Sequence, residues 1–121
     1  MELDLDNETM TERASEPLLR ILLLEDNLDD AVLLEDELMR AGFRFHLERV
    51  HAREDFLDRL GPHVDLVLSD HDLPQFNALQ ALELVKQHRL DIPFLIVSGA
   101  ISEEAAVEAM RCGAADYLLK D

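Results

Sequence analysis

The sequence predicts an α/β fold: a doubly wound, five-stranded parallel sheet with helices on both faces. Three observations predict it. Short apolar runs alternate with longer segments of helical period from Leu18 onward. Four of those runs are too short for helices and too uniformly apolar for a strand with one wet face, which is the pattern of strands buried on both sides. The same four runs each end in polar residues, as strands do when a site lies beyond their carboxyl ends. Strands alternating with helices make parallel βαβ units with right-handed crossovers, hence a sheet covered on both faces.

Taken in order, the first segment is residues 1–17, where Glu2, Asp4, Asp6, Glu8, Glu12 and Glu16 face only Arg13. It has few apolar residues and no sustained period, and is expected to be a flexible acidic leader ending at Pro17. The first apolar run is 20–24. A helix is predicted over 28–41, with Ala31, Val32, Leu34, Glu35 and Leu38 at helical intervals and Gly42 where a C-cap glycine belongs. Residues 46–50 alternate polar and apolar, as an edge strand should. A shorter helix over 53–60 is closed by Gly61-Pro62. The next run, 64–68, leads to a helix over 78–88 that carries Leu79, Leu82 and Val85 on one stripe and ends before Ile92-Pro93. After the run 94–97, Ser102-Glu103-Glu104 opens a helix with a hydroxyl cap and an acidic first turn, and Gly113 closes it. The last run is 117–119. A doubly wound sheet of this kind normally carries a fifth helix, α5, so 18–121 is expected to be one domain cut short before it, with the leader or another subunit as alternative cover for the bare face.

At 121 residues the chain fits one core, and its 48% hydrophobic content and mean hydropathy of -0.08 are ordinary for a globular protein. The single cysteine, Cys112, cannot form an internal disulfide. No apolar stretch approaches the roughly 20 residues that span a bilayer, and no signal-peptide pattern opens the chain, so membrane insertion is not expected and the cytoplasm is the expected compartment. A formal charge of -16 argues against nucleic-acid binding by this domain, because a phosphate backbone repels such a surface.

The polar strand ends are Glu25-Asp26, Ser69-Asp70, Ser98-Gly99 and Lys120-Asp121. If the strands lie in the order 2-1-3-4-5, the first and third are neighbours at the point where the order reverses, and Asp26 and Asp70 meet there with Glu25 nearby. Ser98 and Lys120 approach from the other side. Such carboxylates repel one another unless protons or a cation relieve them. With hard oxygen donors and no cysteine or histidine at these strand ends, Mg2+ or Mn2+ is favoured over zinc. A carboxylate beside that ion can act as a nucleophile toward phosphorus, while the lysine and the serine hydroxyl stabilise the phosphoryl oxygens.

Leu22-Leu23-Leu24-Glu25-Asp26-Asn27, Ser69-Asp70-His71-Asp72-Leu73-Pro74, Val97-Ser98-Gly99-Ala100 and the 113–120 segment ending in Tyr117-Leu118-Leu119-Lys120 make the chain resemble the receiver domain of two-component response regulators. The fold of that family is flavodoxin-like, and its strand order is known from flavodoxin and chemotaxis receivers. The resemblance covers everything from about Arg20 to Asp121. It implies that Asp70 is the phosphorylation site and that Glu25 and Asp26, with Asp70 and the backbone carbonyl of Asp72, hold the metal. It implies that Ser98 senses the phosphoryl group, that Lys120 is the motif's lysine, that Tyr117 is the aromatic switch, and that Asp72 and Ala100 tune the phosphoryl lifetime. The implied function is a phosphorelay switch, not an enzyme. Its implied partners are a histidine kinase or histidine phosphotransfer protein, an output domain beyond Asp121 or a partner protein, and a second copy in a homodimer. One departure is Ala78, where the family usually has glycine.

Simpler readings stand beside these. Glu25-Asp26 could cap the following helix, and Asp70 could be a helix N-cap or turn residue. Tyr117 could be packing alone. His71 is expected to be a partly exposed neighbour with no essential role, while His46, His51, His63 and His88 lack ligand spacing. Asp70-His71-Asp72 also has the spacing of aspartate-nucleophile phosphohydrolases, in which Asp72 would be the general acid. A phosphorylation-independent interaction module is a further alternative, which the retained acidic cluster disfavours.

Overall fold

The computed structural model describes residues 18–71, 73, 75–99 and 102–119. The expected leader over 1–17 lies outside them, as do Asp72, Ala100 and Lys120. Strands β1 (Leu19–Leu24), β2 (Phe45–Val50), β3 (Leu66–Asp70), β4 (Phe94–Ser98) and β5 (Asp116–Leu119) alternate with helices α1 (Leu28–Arg40), α2 (Arg53–Arg59), α3 (Ala78–Gln87) and α4 (Glu103–Arg111). All strand pairs are parallel and the order is β2-β1-β3-β4-β5, as the sequence predicts.

The sheet divides two apolar layers. On one face Leu22, Leu24, Val67, Phe94 and Ile96 pack with Phe56, Ala81, Leu82, Val85 and Ala109 from α2, α3 and α4. On the other, Ile21, Leu23 and Leu68 pack with Ala31 of α1. Alternation along each strand is what sends neighbours to opposite layers. Because β1 and β3 are interior strands with both faces covered, their stretches 21–24 and 66–68 are wholly apolar.

Helix ends follow local chemistry. Asn27 caps α1, its Oδ1 accepting from the Asp30 N–H at 3.1 Å, and Ser102 caps α4 through the Ala105 N–H at 3.3 Å. Asn77 and Gln80 form a reciprocal capping box at α3, at 2.9 and 3.0 Å. Gly42 (φ 86°) and Gly113 (φ 106°) end α1 and α4 in the left-handed region, as predicted for C-terminal glycines. At the end of α3 that conformation falls on Arg89 (φ 55°), with the Leu90 N–H bonded to the Val85 carbonyl.

Three expectations need correction. The third strand begins at Leu66 and runs to Asp70, later than the run 64–68 suggested. Val64 is buried, but it packs from the turn that follows Gly61. In α1, Ala31, Leu34 and Leu38 contact the sheet while Val32 (54% exposed) and Glu35 face outward. Finally, 117–119 is not a strand buried on both sides: β5 is an edge strand, and Leu118 and Leu119 are 42% and 51% exposed.

Candidate functional site

The parallel register decides where the strand ends fall. Leu24 of β1 pairs with Ser69 of β3, so Glu25 and Asp26 leave β1 beside Asp70. One carboxylate oxygen from each of Glu25, Asp26 and Asp70 lies within 4.8 Å of the others. Glu25 is 2% exposed, Asp70 half-buried and Asp26 exposed. Two like charges at that separation repel by about 3.5 kcal/mol at an effective dielectric near 20. Three hard oxygens on a partly buried base form a set that could hold a divalent cation, which would relieve the cluster's repulsion.

The surrounding backbone holds the cluster in place. The Glu25 N–H donates to the Val50 carbonyl at 2.9 Å, extending the β1–β2 ladder one residue past β1. Glu25 Oε2 accepts from the Asn27 N–H at 3.3 Å, and the Glu25 carbonyl accepts from Arg49 Nη1 at 3.1 Å. The side-chain cap of α1 is Asn27, not Glu25 or Asp26. On β3, the Ser69 hydroxyl donates to the Asp70 carbonyl at 3.0 Å. Asp70 closes a strand, and α3 takes its cap from Asn77, so Asp70 is not the cap of that helix.

Ser98 ends β4 almost fully buried, paired in register with Leu119, the residue before Lys120. Tyr117 is half-buried on the α2–α4 side of the sheet, its hydroxyl buried without a hydrogen-bond partner among the described residues. Ala78 heads α3 fully buried, its methyl group within the core. Lys120, Asp72 and Ala100 fall outside the described residues, so what the structure brings together is Glu25, Asp26 and Asp70.

Two neighbours escape a sequence reading. Arg49 looks like an ordinary polar position on an alternating edge strand, yet its guanidinium meets the Glu25 backbone. His71 is half-buried, as expected, but its ring packs edge-on against Tyr117 with centroids 5.5 Å apart. No spacing rule relates either pair, because each contact depends on strand order and register.

The comparisons with known proteins bear on this geometry. The family model described as the response regulator receiver domain matches residues 21–121. The chain belongs to that family. It is therefore the receiver domain of a two-component response regulator, a regulatory module. One relative is the "Regulatory protein AtoC" of Escherichia coli, 30% identical over an alignment of 106 residues, with 84% of this chain and 22% of the relative covered. The receiver thus spans about a fifth of the length of the curated relatives it matches. Among solved structures, response regulator RPA3017 of R. palustris, described in red light signaling, is 25% identical with a TM-score of 0.75, covering 86% of this chain and 82% of that one. The Mn(2+)-bound form of response regulator Rcp1 is 26% identical with a TM-score of 0.71, covering 85% and 81%. No helix among the described residues is long and apolar enough to cross a membrane.

Proposed function

We propose that this receiver is the phosphoacceptor switch of a phosphorelay and that Asp70 is the acceptor. The observation that carries the proposal is the convergence of Glu25, Asp26 and Asp70 from two neighbouring strand ends. In the transfer, a carboxylate oxygen of Asp70 attacks phosphorus on a phosphohistidine donor. The P–N bond breaks, its electron pair stays with the imidazole nitrogen, and the phosphoryl group ends as an acyl phosphate on Asp70. Glu25, Asp26 and Asp70, with the backbone carbonyl of Asp72, are the residues proposed to hold Mg2+ or Mn2+, which would offset charge on the phosphoryl oxygens. The manganese found in the Rcp1 relative supports that choice of ion.

The roles proposed for the remaining residues follow from charge and reach. Lys120 neutralises a phosphoryl oxygen, the Ser98 hydroxyl donates to another, and Asp72 and Ala100 control water access and hence lifetime. Displacement of Ser98 toward the phosphoryl group shifts Tyr117 further inward and reshapes the surface around α4 and β5, a two-state equilibrium biased by local charge. A histidine kinase or phosphotransfer protein is the proposed donor, in the cytoplasm. An output domain, partner protein or second copy reads the changed face. The test is incubation with acetyl phosphate and Mg2+: the intact mass should rise by one phosphoryl group in the wild type and stay unchanged in Asp70→Asn. Equal labelling of the two proteins would refute the assignment.

A further inference from the structure

Tyr117 and His71 stand two strands apart. Asp70 pairs with Val97 in β4, the His71 N–H donates to the Val97 carbonyl at 3.0 Å, and Tyr117 pairs with Ile96 from the far side of β4. Strands two places apart in a sheet are separated by roughly 10 Å. Ring centroids only 5.5 Å apart, at 63°, therefore mean that both side chains lean across β4 until edge meets face. That geometry is the favourable one for two rings with opposed quadrupole faces and edges.

Among the described residues none meets the buried Tyr117 hydroxyl with a hydrogen bond, so none of them holds the ring through it. What the described residues supply to keep Tyr117 inward is therefore contact with its ring, from the core on this face and from His71. We infer that His71 is a positioning residue that biases Tyr117 toward its inward orientation before any phosphoryl group arrives, and that it links the ring to the strand end carrying Asp70. The link to Asp70 rests on the phosphoacceptor reading; the ring contact does not. An edge-to-face pair of this kind shifts the buried-to-exposed ratio of Tyr117 by about three- to tenfold.

The sequence makes the test clean, because Tyr117 is the sole tyrosine and there is no tryptophan. Acrylamide quenching of tyrosine emission then reports the accessibility of this one ring. His71→Ala should raise the quenching constant severalfold while thermal unfolding stays cooperative, and His71→Phe, which keeps a ring, should restore the wild-type value. Wild-type quenching in a cooperatively folded His71→Ala protein would overturn the inference, as would equal exposure in the phenylalanine variant. Addition of Mg2+ and beryllofluoride, with binding followed by fluorine NMR, should bury Tyr117 again in His71→Ala. Bound beryllofluoride with no change in quenching would overturn the link to the strand end. A wild type that binds no beryllofluoride would instead defeat the phosphoacceptor reading, with the ring contact still decided by the quenching comparison.

Discussion

Neutralising Asp26 should stabilise the metal-free domain and at the same time remove its response to Mg2+. The carboxylate of Asp26 stands within 4.8 Å of both Glu25 and Asp70. At that separation each charged pair costs about 3.5 kcal/mol at a dielectric of 20 but only about 1 kcal/mol in bulk water. Asp26 is exposed, so solvent screening favours the lower figure. Asp26→Asn relieves two such pairs, a gain of about 2 kcal/mol, or roughly 8 °C in melting temperature for a domain of this size. The wild type should instead gain its stability from the ion: at a hundred times the dissociation constant, binding to the folded state alone contributes about 2.7 kcal/mol. The assay is thermal unfolding by circular dichroism at increasing MgCl2, with EDTA as the zero point. Asp29→Asn serves as the control. It removes the same formal charge from the first turn of α1, where an acidic side chain favours the helix, so it should give no gain without metal and leave the Mg2+ response intact. An Asp26→Asn protein that melts below the wild type in EDTA, or keeps the full Mg2+ shift, would refute the electrostatic reasoning.

Three further substitutions test the scaffold that positions the site. Arg89→Gly should raise stability by about 0.5–1 kcal/mol in urea titrations, because a glycine occupies the left-handed conformation without the Cβ clash that arginine suffers. A loss would show that the Arg89 side chain outweighs its backbone. Phe56→Ala should cost about 3–5 kcal/mol, since the ring is fully buried and packs on Phe76 at 5.6 Å; a cost below about 1 kcal/mol would mean that α2 collapses to fill the space. Asn77→Ala should cost about 1 kcal/mol through loss of the capping box at α3. No loss in the same titration would show the cap to be redundant.

How much of this was legible beforehand depended on whether a feature is written locally. The buried strands are, since Leu22, Leu23 and Leu24 lie between layers on both sides and no polar residue can be placed there. The helix ends at Gly42 and Gly113 are too, because the left-handed turn selects glycine. Apolar character alone did not reveal which residues would be covered. Val32, Leu118 and Leu119 are as apolar as their buried neighbours, but their exposure follows from which elements pack against them. Val64 shows a related ambiguity: it belongs to the core without belonging to a strand ladder.

The acidic cluster was legible through one inference, the strand order, which turns Glu25-Asp26 and Asp70 from separate motifs into neighbours. The contacts of Arg49 with Glu25 and of His71 with Tyr117 were not. Each joins residues on different strands, and one crosses an intervening strand, so only the register and the side-chain directions bring them together. The polar, alternating character of β2 concealed Arg49, and His71, expected to be a partly exposed neighbour of Asp70, carried no signal of a ring contact two strands away.

The central claim is that one carboxylate among the 27 acidic residues of the chain is singled out by its surroundings to receive a phosphoryl group. The most direct measurement is to phosphorylate the protein, trap the acyl phosphate by borohydride reduction, and locate the reduced residue by peptide mass mapping. The account predicts modification at Asp70 alone, abolished by EDTA. Modification spread over several acidic residues, or centred on any other one, would contradict it.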